Sequence, residues 1–360
     1  METLLKQTTS QQKRRSDAPR RFVVSKATGR RFYKPTPGLP ATMRVRFHPQ
    51  TMPLTATQLR ARLDSHCGVI AFPVTPFDVK LRLDLAGLRA NVRRLLAHDL
   101  LAIVVGAGTG ELHSLSTTEH LAVVKATLAE VKGRVPVLAG VGFSPRTAQD
   151  MAIACTKAGV DGVLIFPPYY PGDAQDEGMF AYYRDTAAAT KRGVIIYSRD
   201  FANFGPAAVE RLATIPNLVA FKDGQGDLRR FQQIIARVGS RLHWIGGAGD
   251  DLVPGYYSLG VRTYTSSIAN TAPRLSLHLH ALASARTPEA DAELHTIMRE
   301  LVVPLYAFRA RRKGYEVSVM KSQMDLTGQV GGRVRPPLND LRPEEVKELA
   351  AMLKPWRRWL

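Results

Sequence analysis

A lysine at the end of an apolar run carries the most chemistry in this sequence. Leu218-Val219-Ala220-Phe221 reads as a short buried strand, with Pro216-Asn217 before it and Lys222-Asp223-Gly224 after it. Lysines are rarely buried without a partner. Burial disfavours the ammonium ion and lowers its pKa, and the neutral amine that results attacks carbonyl carbon. Lys222 is therefore a candidate Schiff-base former. A plainer reading stands beside it on this heptapeptide alone, in which the stem snorkels the charge past the strand end to solvent.

Other residues of suitable type end similar runs. Gly108-Thr109-Gly110 follows Leu101–Val105 and offers unobstructed backbone N–H groups and one hydroxyl, a nest for a carboxylate. The same glycines would also make an ordinary turn. Tyr197 ends Gly193–Tyr197, where a phenol can relay protons beside an amine; the alternative is a core tyrosine. Arg199 supplies a planar donor fork suited to a second carboxylate, or is a surface arginine. Ser266 and Ser267 add two small hydroxyls at the end of Val261–Thr265, or are merely polar strand-end residues. Histidines show no ligand spacing at strand ends, and His278 and His280 would fall on different faces of a helix. No metal, and no phosphate loop of the kind pyridoxal phosphate needs, is read from the sequence.

These residues need a scaffold that gathers strand ends. From Gly68 onward the chain alternates. Strands are expected at Gly68–Phe77, Leu101–Val105, Val135–Gly140, Gly162–Phe166, Gly193–Tyr197, Leu218–Phe221, Leu242–Ile245 and Val261–Thr265. Helices are expected between them at Leu85–His98, Thr117–Lys132, Pro145–Ala158, Gly178–Thr190, Pro206–Ala213, Leu228–Val238 and Asp250–Ser258. Ser116 with Glu119 forms a capping box, and Ser144 caps the helix that opens on Pro145. Continuous apolar runs mark strands buried on both faces, as in parallel sheets. Eight such units read as an α/β (β/α)8 TIM barrel, whose chemistry sits at the C-terminal ends of its strands. An open doubly wound sheet is second, weakened because no GxGxxG follows the first strand. After Ser267 only helical patterns remain, at about Pro273–Ala285, Asp291–Arg312, Tyr315–Leu326 and Pro343–Met352. The expected organisation is a tail over 1–51, a barrel over 52–285 and a C-terminal helical region over 286–360.

Charge is unevenly spread. Residues 1–51 hold 12 Lys/Arg against Glu2 and Asp17, more than half of the net charge of +19. This stretch has neither helical nor strand period and no apolar core of a signal peptide. A transit-type segment, a basic arm for nucleic acid, or an over-extended reading frame with Met52 as the true start all fit it. The two cysteines, Cys67 and Cys155, suit a reducing cytoplasm and exclude a disulfide scaffold. No run of 18 apolar residues exists, so no membrane helix is expected.

Gly106–Glu111 (GAGTGE), Tyr197–Asp200 (YSRD) and Phe221–Gly224 (FKDG) together resemble the dihydrodipicolinate synthase and N-acetylneuraminate lyase superfamily. Within it, Phe72–Phe77, Gly193–Asp200, Phe221–Asp227 and Arg311–Ser318 with Val334–Leu338 are similar to the 5-dehydro-4-deoxyglucarate dehydratase family. The likeness runs over about residues 52–354. Ser198, Phe201, the Ser266–Asn270 stretch and Leu112-His113 depart from the family's pattern.

The resemblance implies a Schiff-base lysine at Lys222 and a tyrosine relay at Tyr197. The substrate carboxylate would lie on Gly108, Thr109 and Gly110, and Arg199, Ser266 and Ser267 would meet the polyol and distal end. It implies a small sugar-acid keto substrate, dehydrated and decarboxylated to 2,5-dioxopentanoate, with no cofactor. It also implies a homo-oligomer, commonly a tetramer. A pyruvate-dependent aldolase or synthase of the same superfamily would use the same lysine and tyrosine. A non-catalytic nucleic-acid binder is the reading from another class, favoured only by the tail, which lacks an RNP-type aromatic pattern.

Overall fold

The computed structural model describes residues 52–169 and 176–360. The basic stretch 1–51 and the readings made of it lie outside the described residues.

Eight strands close into a parallel barrel in chain order. They are β1 (Val69–Ala71), β2 (Ala102–Val105), β3 (Val137–Phe143), β4 (Gly162–Pro168), β5 (Gly193–Ser198), β6 (Leu218–Asp223), β7 (His243–Gly246) and β8 (Thr263–Ser266). The helix α1 (Ala56–Ser65) precedes them. α2 (Leu85–Leu95), α3 (Thr117–Val131), α4 (Pro145–Ala158), α5 (Asp176–Ala188), α6 (Pro206–Leu212), α7 (Leu228–Val238) and α8 (Val253–Ser258) connect successive strands. α9 (Pro273–Ala285), α10 (Pro288–Ile297), α11 (Val303–Arg309), α12 (Tyr315–Leu326) and α13 (Pro343–Met352) follow the last strand. Every connection from strand to strand runs through a helix, so each strand is parallel to both neighbours.

Two apolar layers follow from strand alternation. Ile70, Val104, Leu138, Leu164, Ile195 and Ile245 pack inside the barrel. Val69, Ile103, Val137, Val163, Val194 and Phe221 pack outward against the helices. α1 joins the inner layer through the fully buried Leu59 and Leu63. A Cβ on Gly162 or on Gly193 would fall 2.8 Å from Leu59 Cδ2, so both strands begin on glycine where α1 presses closest. Thr55 caps α1 in a reciprocal box with Gln58.

Local signals hold well. Ser116 and Glu119 form their capping box at α3, and Ser144 accepts from the Thr147 N–H at α4. Two expectations are corrected. The first strand, expected through Phe77, ends at Ala71. Pro73 and Pro76 have no N–H to give a ladder. The helix expected over Asp291–Arg312 is three pieces. It starts earlier, on the Thr287 cap with Pro288 at the first turn. It then widens into a π-helical turn at Met298–Val302 and resumes as α11. Pro304 cannot donate and crowds the preceding turn, which is where the ladder opens.

The C-terminal helices return to the barrel's C-terminal mouth. Met320 and Met324 of α12 pack on Val74, just beyond β1. Tyr306 and Arg309 of α11 reach the segments that follow β7 and β8.

Candidate active site

The mouth holds a cleft of about 580 Å³, and every residue singled out at the strand ends except Gly110 lines it. Lys222 lies at its floor, only 3% exposed. Its Nζ donates to Gly247 O at 3.0 Å and sits 3.2 Å from the centroid of the Tyr197 ring. Burial first, and the Arg199 charge second, hold the amine well below the usual lysine range, while Asp223 works the other way. The shift favours the neutral amine, the form that attacks a carbonyl. The snorkelling alternative does not fit a side chain this enclosed.

Tyr197 is brought to Lys222 by the ladder. The two residues are direct partners between β5 and β6. Val194 pairs with Leu218 and Ile195 with Ala220, so Val219 is an extra residue that shifts the register by one. Phe166 packs edge-on against the Tyr197 ring at 5.3 Å between centroids. Burial raises the Tyr197 phenol above its usual pKa, with Arg199 opposing, so the hydroxyl stays protonated. Gly224 and Gly247 leave room for the pair. A Cβ on Gly224 would lie 2.4 Å from Tyr197 Cε2, and one on Gly247 2.5 Å from Lys222 Cγ.

The turn after β2 keeps a run of backbone N–H groups unpaired. Glu111 N–H donates to Gly108 O and Leu112 N–H to Ala107 O, which folds the turn. Among the described residues, the N–H groups of Gly108, Thr109 and Gly110 have no protein acceptor. Thr75 donates to Gly110 O at 2.7 Å and fixes the far side. Glu111 holds a left-handed conformation, φ 54°, and is fully buried. Its carboxylate pairs with Lys321 Nζ at 2.5 Å and accepts from the Arg335 N–H at 3.0 Å. The C-terminal segment thus clamps the turn that carries the free N–H groups.

Arg199 lines the cleft with its Nε on Asp200 at 2.8 Å. Ser266 also lines it, but its hydroxyl is engaged: it donates to Asp250 at 2.5 Å, pairs with Ser276 at 2.7 Å and accepts from the Ala269 N–H. Ser267 faces the cleft and donates to Asp250 at 3.1 Å. Tyr306 donates to the same carboxylate at 2.9 Å. Asp250, Tyr306 and Arg309 are the residues that strand-end reading missed. Arg309 had a signal: it stands on the helical period of Val302 and Leu305, a guanidinium on a buried face.

The chain is thus a closed (β/α)8 barrel with a buried lysine and a tyrosine beneath its open mouth. The family model of the dihydrodipicolinate synthetase family matches residues 65–355, and the chain belongs to that family. A Bradyrhizobium diazoefficiens protein named "Probable 5-dehydro-4-deoxyglucarate dehydratase" is 40% identical over 290 residues, 80% of this chain and 91% of that protein. A Ralstonia nicotianae protein of the same name is 38% identical over 290 residues, 79% of this chain and 92% of its own. Among solved structures, dihydrodipicolinate synthase from Oceanobacillus iheyensis superposes with a TM-score of 0.77 at 29% identity, over 83% of this chain and 99% of that one. The Acinetobacter baumannii synthase complexed with pyruvate gives 0.70 at 26%, over 80% and 98%. No helix among the described residues is long and apolar enough to cross a membrane.

Proposed function

We propose that the chain is a Schiff-base lyase that converts 5-dehydro-4-deoxy-D-glucarate to 2,5-dioxopentanoate, carbon dioxide and water. The buried Lys222 carries the chemistry of this reading, and the names of the 36–40% identical relatives support its substrate.

The amine of Lys222 attacks the C5 ketone, and water leaves as the iminium forms. The adjacent C6 carboxylate lies on the free N–H groups of Gly108–Gly110 with the Thr109 hydroxyl. The iminium acidifies C4, and a proton leaves it, with Tyr197 as the relay in its protonated resting form. The resulting enamine expels the C3 hydroxyl as water and becomes a conjugated iminium. That iminium accepts the electron pair released when C1 departs as carbon dioxide. The C2 enol then becomes the aldehyde, and hydrolysis frees Lys222 and the product. The imine is the electron sink throughout.

The test follows 2,5-dioxopentanoate and carbon dioxide from 5-dehydro-4-deoxyglucarate, with Lys222→Ala beside the wild type and borohydride trapping by mass. Product from the wild type, none from Lys222→Ala and an adduct on Lys222 are expected. A second reading rests on the pyruvate complex of the Acinetobacter relative. It makes the chain a pyruvate-dependent aldolase or synthase. A Lys222 adduct with pyruvate, and no product from the sugar acid, would select it.

A further inference from the structure

The proposed substrate has two carboxylates, and the turn after β2 offers a place for one. Arg199, the obvious partner for the other, is tied to Asp200 and over a third exposed. Arg309 is not. Its side chain comes from α11, only 2% exposed, and it lines the same cleft as Lys222. Its Nη1 donates to Ser267 Oγ at 2.7 Å and its Nη2 to Gln323 Oε1 at 3.1 Å. Its Nε is buried with no acceptor. Among the described residues no carboxylate forms an ion pair with it. Asp250 is reached through Ser267 and through Tyr306, over whose ring the guanidinium lies at 5.0 Å, and Asp251 only at a distance.

Buried guanidinium groups are normally paired with carboxylate in a two-pronged contact. Here the fork is held by neutral acceptors and an N–H is left over. We propose that Arg309 receives the second carboxylate of a dicarboxylic keto acid whose ketone is at Lys222. The proposal rests on the Schiff-base reading for which end of the substrate meets Lys222. In that reading the distal carboxylate leaves as neutral carbon dioxide, so the contact weakens as the reaction proceeds. Arg309 is then a recognition device, and its loss falls on KM rather than on kcat.

The probes are 2-oxoadipate and 2-oxohexanoate, equal in chain length and differing in the distal carboxylate. Their affinities are measured by calorimetry on full-length wild type, Arg309→Met and Arg309→Lys, with borohydride trapping on the same samples. Wild type is expected to prefer the diacid by about 10- to 100-fold, the worth of a charged hydrogen-bonded contact. The preference should collapse toward unity in Arg309→Met and partly survive in Arg309→Lys, which also reads the site should the methionine variant not fold. A wild type without preference overturns the proposal. So does a ratio that persists undiminished in Arg309→Met, or in Arg309→Lys should the methionine variant not fold, while both acids weaken together, the mark of a purely structural arginine. An Arg309-dependent preference without any Lys222 adduct keeps the carboxylate site and removes the Schiff-base reading. An adduct on Lys222 with an Arg309-independent ratio does the reverse.

Discussion

Tyr197 and Lys222 face each other across the β5–β6 ladder because Val219 is one residue more than an even ladder needs. Since strand side chains alternate, a one-residue slip would turn Lys222 to the other side of the sheet relative to Tyr197. With the extra residue, the amine lies against the ring face and within reach of Gly247 O.

Keeping that amine buried should cost stability. Lys222 is held well below the ordinary lysine pKa of 10.5, so the folded chain binds fewer protons here than the unfolded chain. Stability from this site therefore rises with pH. The penalty is complete below the depressed folded pKa and disappears as pH climbs to 10.5. Lys222→Met should abolish product formation yet raise Tm at neutral pH by a few degrees, at roughly 2–4 °C per kcal/mol. Calorimetric melts from pH 7 to pH 10 should show the gain shrinking. A variant that melts below wild type at every pH would contradict the account.

Gly247→Ala probes the same amine from the next strand. The new Cβ would lie 2.5 Å from Lys222 Cγ and 2.7 Å from Asp223 O. The side chain can yield but the carbonyl cannot. Overpacking of this kind costs about 1–3 kcal/mol. The rate should suffer more, since a displacement of about 1 Å at a reacting group costs around 10²-fold. Single-turnover imine formation in a sample with native circular dichroism is the measurement.

Much of this was legible in the chain itself, and the limit has a physical cause. Strand order, the caps at Ser116 and Ser144, and the placing of Lys222 and Tyr197 at strand ends all come from local pattern. Arg309 and Tyr306 arrive at the cleft by packing of α11 over the mouth, and no local spacing encodes which mouth residue a distant helix meets. Ser266 lines the cleft as its strand-end position implies, but the partner that engages its hydroxyl, Asp250, lies 16 residues away on another loop, where no local pattern announces it. The Val219 insertion is equally silent, because an apolar strand reads the same with one residue more. Arg309 and Lys321 did leave a trace, as charges on helix faces otherwise apolar.

Tyr197→Phe should separate imine formation from proton transfer. The ring would keep its contact with Lys222 and its packing on Phe166, and only the hydroxyl is lost. Borohydride trapping of a keto acid on Lys222 should persist. Turnover should fall by about 10²- to 10⁴-fold, the usual worth of a positioned acid or base. Because burial raises the phenol above its ordinary pKa of 10.0, the wild-type kcat profile should show no alkaline limb from this group below pH 10. Equal loss of trapping and turnover would instead make Tyr197 a packing residue.

The Glu111–Lys321 pair makes the turn after β2 depend on a helix more than two hundred residues away in the chain. Both groups are essentially without solvent, and Lys321 also donates to Arg333 O at 2.6 Å. Removing one charge strands the other, which typically costs about 3–5 kcal/mol. Lys321→Met should therefore destabilise strongly and Glu111→Gln likewise. The double variant should recover part of the loss, because no buried charge is then left alone. The cycle is read by urea unfolding. Its functional counterpart is affinity for a keto acid: with Glu111 released, its left-handed backbone loses the contact that holds it, and the turn that carries the three free N–H groups loses its anchor. A surviving double variant should thus bind keto acid more weakly than wild type although its stability has partly returned. Restored stability together with wild-type affinity would show that the turn holds its shape without the clamp.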